Sequence, residues 1–550
     1  MSKIIKFGKE GRKELAVGVN TVGDTSKITI GPKGRNVIFD RGYGGPTIAN
    51  DSGSISREIV LKDPIQNMGA NVAKEVAQKT NDNAGDGRTT SVILMQAIFN
   101  EGMKRVNPSG FWYHFKSFFS KSARVSSVGV KNGIEKASKI AVNYLKEIAK
   151  PIKSNEELTQ VAIISSESEE IGKKISETIA QLGEDSVITV EESPTVGIFS
   201  EISQGMEFDK GYISPYMVTD KNRMEAEYRD VKILVTDMKI GAIDEILPLL
   251  EQLAASGKRE LVIIAEDVIG EALNTFILNK LQGSLSVLCI KAPGFGLRKR
   301  DYLEDIATVV GAKFIASDLQ ISLAKVGIED LGSADRILSK KDKTVITGGH
   351  GTKEAIEERV NVAKAELEKL ESKHDKLKVE ERIGKLSGGV AIIKVGAATE
   401  QDTKYQKLKI EDAVNSVKAA YEEGVVAGGG VALIAASKTI REAKKHGTYT
   451  SDELIGFDIL ADALEAPLRN IAINCGLDGD DVVENVKDMK DGGGFNALTN
   501  VYVDDMVGAG IMNPVKVERC AIENASSAGG ILLTTEVAMA EEPKLLPAGM

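Results

Sequence analysis

At 550 residues the chain is too long for one ordinary hydrophobic core, and two to four domains are expected. Hydrophobic residues at 42% and charged residues at 27% are an ordinary globular composition, with few aromatics (5%) and abundant glycine (54 residues) for turns, hinges and close backbone approaches. A formal net charge of −10 argues against a nucleic-acid footprint, which needs a basic surface.

The chain opens Met1-Ser2-Lys3-Ile4-Ile5-Lys6-Phe7-Gly8, without an apolar signal core or an arginine-rich transit segment, so a cytoplasmic location is the expectation. Residues 1 to about 147 read as mostly helical, with runs at 65–80, 90–104 and 130–149. Between 27 and 60 the pattern is strand-like, with Lys27-Ile28-Thr29-Ile30 followed, after a Gly-Pro turn, by Asn36-Val37-Ile38-Phe39-Asp40. From about 204 to 389 the pattern becomes α/β: apolar runs at 231–235, 261–265 and 286–290 read as buried strands with helices between them. The charged segment 353–383 reads as a helix with one packed stripe, Ile356, Val360, Ala363, Leu367 and Leu370, lying on its own domain. From about 423 the chain turns helical again, opening at Gly428-Gly429-Gly430. The order helical, α/β, helical is that of a central domain inserted into a split helical one. No run of about 18 apolar residues predicts a membrane span. Cys289, Cys475 and Cys520 are too far apart for a disulfide framework or zinc spacing, and point to a reducing compartment.

The common nucleotide signatures are absent: neither Gly-x-x-x-x-Gly-Lys-Ser/Thr nor Gly-x-Gly-x-x-Gly after a strand occurs, and four scattered histidines argue against histidine catalysis. Two other loops have the chemistry of phosphate sites. In Thr29-Ile30-Gly31-Pro32-Lys33-Gly34-Arg35 glycines open the backbone to an anion beside two cations, although a plain surface turn has the same residues. Ala84-Gly85-Asp86-Gly87-Arg88-Thr89-Thr90 precedes an apolar helix at 91–99, where a carboxylate for Mg²⁺ and hydroxyls meet a helix N-terminus. Spacing alone does not separate that reading from a simple N-cap cluster.

These two loops, with 425–433, 395–400 and 205–216, resemble the group I chaperonins of the GroEL type, and the resemblance runs from about residue 4 to about 544. It implies a multidomain α+β and α/β chaperonin fold. A mostly helical, split equatorial domain would comprise 1–147 and 423–550. A small intermediate domain would comprise 148–203 and 390–422, and an inserted α/β apical domain 204–389. Gly205 and Gly388-Gly389 fall at the family's apical hinge. The implied activity is ATP hydrolysis coupled to protein folding, with ATP, Mg²⁺ and K⁺. By the same resemblance, Thr29, Ile30, Gly31, Pro32, Asp86, Gly87, Arg88, Thr89 and Thr90 would bind the phosphates, with Asp86 on Mg²⁺. Asn50 belongs to the same site, and Gly429, Asn496, Ala497, Leu498 and Asn513 would line the base and ribose pocket. Asp412 would position the attacking water and Asp51 would lie near the γ-phosphate. The implied partners are unfolded polypeptides and a GroES-type co-chaperonin, in a heptameric homo-oligomeric ring stacked as two rings, with no nucleic acid and no membrane. Client and co-chaperonin would share an apolar groove of Tyr212, Tyr216, Leu247, Leu250, Leu273, Ile277 and Leu278, with Ile243 and Ile246 extending the Leu247–Leu250 stripe on one helix. The alternative is a ring-forming holdase or scaffold with weak or no hydrolysis.

The chain departs from the family pattern in three places. At the nucleotide site Asn50 replaces a lysine, Ser52-Gly53 a Gly-Val, Arg88 the first of three threonines, Leu498 an alanine and Asn513 an aspartate. The Arg88 guanidinium would either pair with phosphate or compete with a bound cation. An insertion of about 15 residues near 109–127 carries Phe111-Trp112-Tyr113-His114-Phe115-Lys116-Ser117-Phe118-Phe119, and would remodel or block the contact between rings, bind a partner, or tuck onto its own domain. The tail Leu545-Leu546-Pro547-Ala548-Gly549-Met550 lacks Gly-Gly-Met repeats.

Overall fold

The structure, a computed structural model, describes residues 2–40, 46–106, 125–182, 187–221, 223–294, 296–319, 322–370, 372–387 and 389–542. The aromatic run 111–119, the tail 545–550 and Gly388 lie outside the described residues. The chain forms two compact units, one of residues 1–177 with 396–550 and one of residues 178–395.

The first unit is built from helices whose ends are written locally. Asp63 caps the helix Pro64–Ala84, accepting from the amides of Ile65 and Gln66, and Pro64 fills a first-turn position that needs no amide donor. This helix lies against Gly8–Ser26 at unusually close range, because glycine removes the intervening side chain: a Cβ on Gly18 would sit 1.8 Å from the Gln66 carbonyl oxygen. Gly18→Ala is therefore expected to cost about 1–3 kcal/mol by forcing the two helices apart, measured as a lower urea midpoint with an unchanged slope. The helix Arg88–Val106 runs through the core, burying Val92, Leu94, Met95, Ile98 and Phe99. Val515–Thr534 packs into the same core through Val515, Ala521, Ile522, Ala525, Leu532 and Leu533. Residues far apart in sequence are joined by strand pairs: Lys3–Phe7 runs antiparallel to Val537–Glu541, and Val425–Ala427 antiparallel to Met512–Pro514.

One expected strand is not formed. Lys27–Thr29 is a 3-10 turn; within the strand-like region Val37–Phe39 pairs with Thr47–Ala49, and Ser52–Glu58 is helical. The reason is Asn474, whose amide nitrogen donates to the carbonyls of Lys27, Ile28 and Ile30 at 2.9, 3.3 and 2.9 Å. These are the acceptors that a strand ladder would use.

The second unit is a layered α/β body. Its six-stranded sheet runs in the order Ser286–Lys291, Glu260–Ala265, Ala226–Val235, Gly332–Ser339, Thr344–Gly349, Gly205–Phe208. The first three strands are parallel and contain the apolar runs at 231–235, 261–265 and 286–290; the others join antiparallel. A smaller sheet orders Val187–Glu192, Val390–Gly396 and Gly197–Ser203. The expected single helix over 353–383 is two, Lys353–Lys369 and Lys373–Ser387. The break falls at Leu370, which takes an extended conformation (φ −78°, ψ 136°). Both helices are anchored on one buried carboxylate, Asp305, with Arg359 Nε at 2.5 Å and Arg382 Nε at 2.7 Å. Val360 and Ala363 of the expected stripe are buried and Ile356 is partly buried. Among the described residues no helix is long and apolar enough to cross a membrane.

Candidate functional site

The first unit contains a cleft of about 630 Å³, and its walls come from stretches of sequence that are remote from one another. Thr29, Ile30, Gly31 and Pro32 form one wall, held by the Asn474 amide described above and by a tight turn in which Gly34 N–H donates to the Gly31 carbonyl at 2.9 Å. Asn50, Asp51 and Ser52 form the next. Asp51 caps the helix Ser52–Glu58, accepting from the Gly53 and Ser54 amides at 3.1 and 2.7 Å. Asn50 donates to the Tyr405 hydroxyl at 3.0 Å.

Asp86 to Thr90 cross the floor, where one helix ends at Gly85 and the next begins at Arg88. Gly87 has φ +86°, and a Cβ there would sit 2.8 Å from Val517 Cγ1, so this turn needs glycine. Asp86 Oδ1 accepts from the Gly87 amide at 2.6 Å, and Oδ2 accepts from the hydroxyls of Ser165 and Ser416 at 3.1 and 2.9 Å. Thr89 donates to the Ser52 hydroxyl at 2.7 Å. The remaining walls are Gly429, in the turn between Val425–Ala427 and the helix Val431–His446, the segment Asn496, Ala497 and Leu498, and Asn513. Asn496 Oδ1 accepts from the Leu498 amide at 3.0 Å and so closes a local turn, while the Leu498 side chain is exposed.

The electrostatic centre of the cleft is Arg88. Its guanidinium donates to Asp51 Oδ1 at 2.9 Å and to Asp412 Oδ1 at 3.1 Å, and all three side chains are mostly buried. Burial alone would raise the Asp51 carboxyl, but the Arg88 charge and the Ser54 and Gly53 hydrogen bonds outweigh it and hold Asp51 below the usual carboxylate range. Asp412 goes the other way. Burial pushes it up to about 8; Arg88 opposes, while the neighbouring charges of Asp86, Asp51 and Glu411 add to the rise. One guanidinium faces more carboxylates than it can neutralise, so the two acids it bridges are driven apart. Arg88 itself, surrounded by acids, is held protonated above its ordinary value despite its burial.

Every residue expected at the nucleotide site lines this one cleft: 29–32, 86–90, Asn50, Asp51, Asp412, Gly429, 496–498 and Asn513. Sequence reasoning missed Ser165 and Ser416, which hold Asp86, and Tyr405, Lys409 and Glu518, which also line the cleft. None of these five stands in a motif. A serine or a charged residue within a helical stretch carries no periodic signal of its own.

The groove residues divide by burial. Ile243 lies in a 3-10 turn, Ile243–Glu245, and the helix begins only at Leu247, so the expected continuous stripe is broken. Ile246 and Leu250 point into the core of the second unit, and Tyr212 is buried as well. Leu273 is partly buried against that core and Ile277 is partly buried. The stripe pattern is thus mainly that of core packing. The exposed members are Tyr216 (66%), Leu247 (40%) and Leu278 (57%), and Leu281 (68%) extends them.

The family model described as the TCP-1/cpn60 chaperonin family matches residues 22–543.

Proposed function

The chain belongs to the TCP-1/cpn60 chaperonin family, and from that membership we propose that it is a group I, GroEL-type chaperonin subunit that hydrolyses ATP to drive cycles of polypeptide capture and release. The observation that carries this reading is the convergence of both phosphate-type loops, Asp51, Asp86, Asp412, Gly429 and Asn513 on one cleft. Phosphoryl transfer asks a protein for positioning and charge stabilisation rather than covalent chemistry. Backbone amides at the start of the Arg88–Val106 helix and the glycine turns favour phosphate. Asp86 is an oxygen donor of the kind Mg²⁺ takes, one carboxylate being completed by substrate phosphates, and its second oxygen is oriented by Ser165 and Ser416. When bound, Mg²⁺ supplies charge stabilisation to the phosphates. Thr89 and Thr90 line the same cleft and carry hydroxyls, the ligand type that K⁺ would need. Asp412 orients the attacking water and accepts its proton, and Asp51 fixes Arg88 beside it.

In this reading a heptameric ring, stacked as two and working in the cytoplasm, presents the apical apolar residues to clients and to a GroES-type lid. Each exposed apolar side chain adds a contact worth roughly 1.5–3 kcal/mol when fully buried, and a ring multiplies weak contacts. Leu247→Ser with Leu278→Ser is therefore expected to weaken capture of a chemically unfolded polypeptide at least tenfold, by about 1.4 kcal/mol or more, read by suppression of its aggregation. Leu250→Ser, at a core position, is expected to lower stability instead.

The test is steady-state ATP hydrolysis with Mg²⁺ and K⁺. Turnover supports the ATPase reading. ATP binding without turnover supports the ring-forming holdase or scaffold, which is favoured by one observation: Arg88 already engages an oxygen of both Asp51 and Asp412.

A further inference from the structure

Glu518 is a buried acid in the first turn of the helix Val515–Thr534, and nothing in the mechanism above uses it. It is 3% exposed and lines the cleft. Its Oε1 accepts from the Asn513 side-chain nitrogen at 2.6 Å, and its Oε2 is buried without a hydrogen-bond partner among the described residues. An acid placed only to favour a helix N-terminus would sit in solvent; this one turns back onto Asn513, in the strand Met512–Pro514 that leads into the helix. Burial pushes its carboxyl up to about 7, with the Asn513 hydrogen bond opposing and the Asp86 charge adding, so it is held there against its solvation.

The consequence falls on Asn513. A side-chain amide has a donor end and an acceptor end, and it presents either one by turning over. Glu518 accepts only from the donor end while it is ionised. That leaves Asn513 Oδ1 on the other side, next to the glycine turn: a Cβ on Gly428 would lie 3.0 Å from it. Strand pairing fixes the backbone, with Asn513 opposite Val426 and the Gly428 amide donating to the Ile511 carbonyl at 3.0 Å. The cleft is therefore offered an acceptor at this point and not an amide donor.

Resting on the nucleotide reading, we propose that Glu518 is a positioning residue that locks the Asn513 amide with its carbonyl oxygen toward the cleft, so that the site requires a hydrogen-bond donor from the ribose, a hydroxyl at the 2′ or 3′ position. Asn513 touches the sugar; Glu518 acts through it.

The experiment compares the affinity of the full assembled protein for ATP with that for its 2′-deoxy-2′-fluoro and 3′-deoxy-3′-fluoro analogues. These keep size and polarity but cannot donate. At least one analogue is expected to bind roughly three- to tenfold more weakly, the range of one neutral hydrogen bond. Glu518→Gln, whose own amide can turn over and so holds neither orientation of Asn513, lowers that ratio toward one. Glu518→Met brings the ratio near one, and Asn513→Asp added to Glu518→Met restores it, because a carboxylate is an acceptor whichever way it turns. Should the Met variant not fold, Glu518→Ser, too short to reach Asn513, carries the same expectation. A wild-type ratio near one for both analogues overturns the inference alone, as does a Glu518→Met protein that discriminates like wild type. Failure of wild type to bind ATP overturns the nucleotide reading and this inference with it.

Discussion

Asp412→Ala is expected to lower ATP turnover about 10²–10⁴-fold, the usual contribution of a positioned general base, with ATP still bound. The argument is geometric. Asp412 lies on the Glu400–Glu423 helix and reaches the cleft beside Arg88, whereas the phosphate-type loops lie on other segments. Removing Asp412 takes away the acceptor for the water proton but leaves the amides and glycine turns. Single-turnover hydrolysis beside equilibrium ATP binding separates the two effects; equal loss of both would deny Asp412 a role in chemistry. The same residue sets a pH dependence. The groups facing it are Arg88, Asp86, Asp51, Glu411 and Lys409, and its carboxyl is pushed up to about 8, mainly by burial. A base works when ionised, so kcat/KM is expected to rise with pH through about 8 and then level, as kcat/KM reports the free protein. A profile already flat from pH 6 upward would show that the ionised form prevails at neutral pH.

How much of this could be read from the chain depends on whether the signal is local. The two phosphate-type loops were visible because glycines stand among a hydroxyl and two cations in 29–35, and among a carboxylate, two hydroxyls and a cation in 84–90. The three buried strands were visible because short apolar runs stand between helical stretches, although their parallel pairing was not. What was hidden is what acts across distance. Arg88 and Asp412 are 324 positions apart, and nothing around either announces the other. Asn474 converts Lys27–Thr29 from strand to turn over a similar span, against the β-branched Ile28 and Ile30 that suggested a ladder. Family resemblance supplied Asp412, but it could not say that the arginine in a threonine's place reaches both proposed catalytic carboxylates. That follows only from three dimensions. The client stripe divided between core and surface for a related reason: amphipathic spacing reports that one face is apolar, and says nothing of whether the face meets the core or solvent. Ile246 and Leu250 meet the core.

The substitution with the largest expected effect on stability is Arg88→Met. Removing one member of a buried charge cluster leaves the others without a partner, which typically costs about 3–5 kcal/mol. Asp51 and Asp412 are each left with a hydrogen-bond acceptor and no counter-charge, in side chains that are only 10% and 18% exposed. The loss has a definite pH dependence. With Arg88 in place Asp51 is held below the usual range, so its ionised form contributes stability above about pH 4. Without Arg88, burial dominates at both acids and both carboxyls rise above the unfolded-chain value. The folded protein then binds more protons than the unfolded one, and stability falls as pH rises through the window between the two values. Wild-type Asp51 stays ionised below pH 4, and the electrostatic part of the difference disappears only as pH falls through its depressed value. The gap between the urea midpoints of wild type and Arg88→Met is therefore expected to be smaller at pH 4 than at pH 8 and to widen progressively between them. A gap of constant size across that range would mean that Arg88 stabilises the cleft by packing its stem rather than by its charge. In that case Asp51 and Asp412 must take their ionisation from elsewhere, and the holdase reading, which depends on Arg88 holding both carboxylates, loses its support.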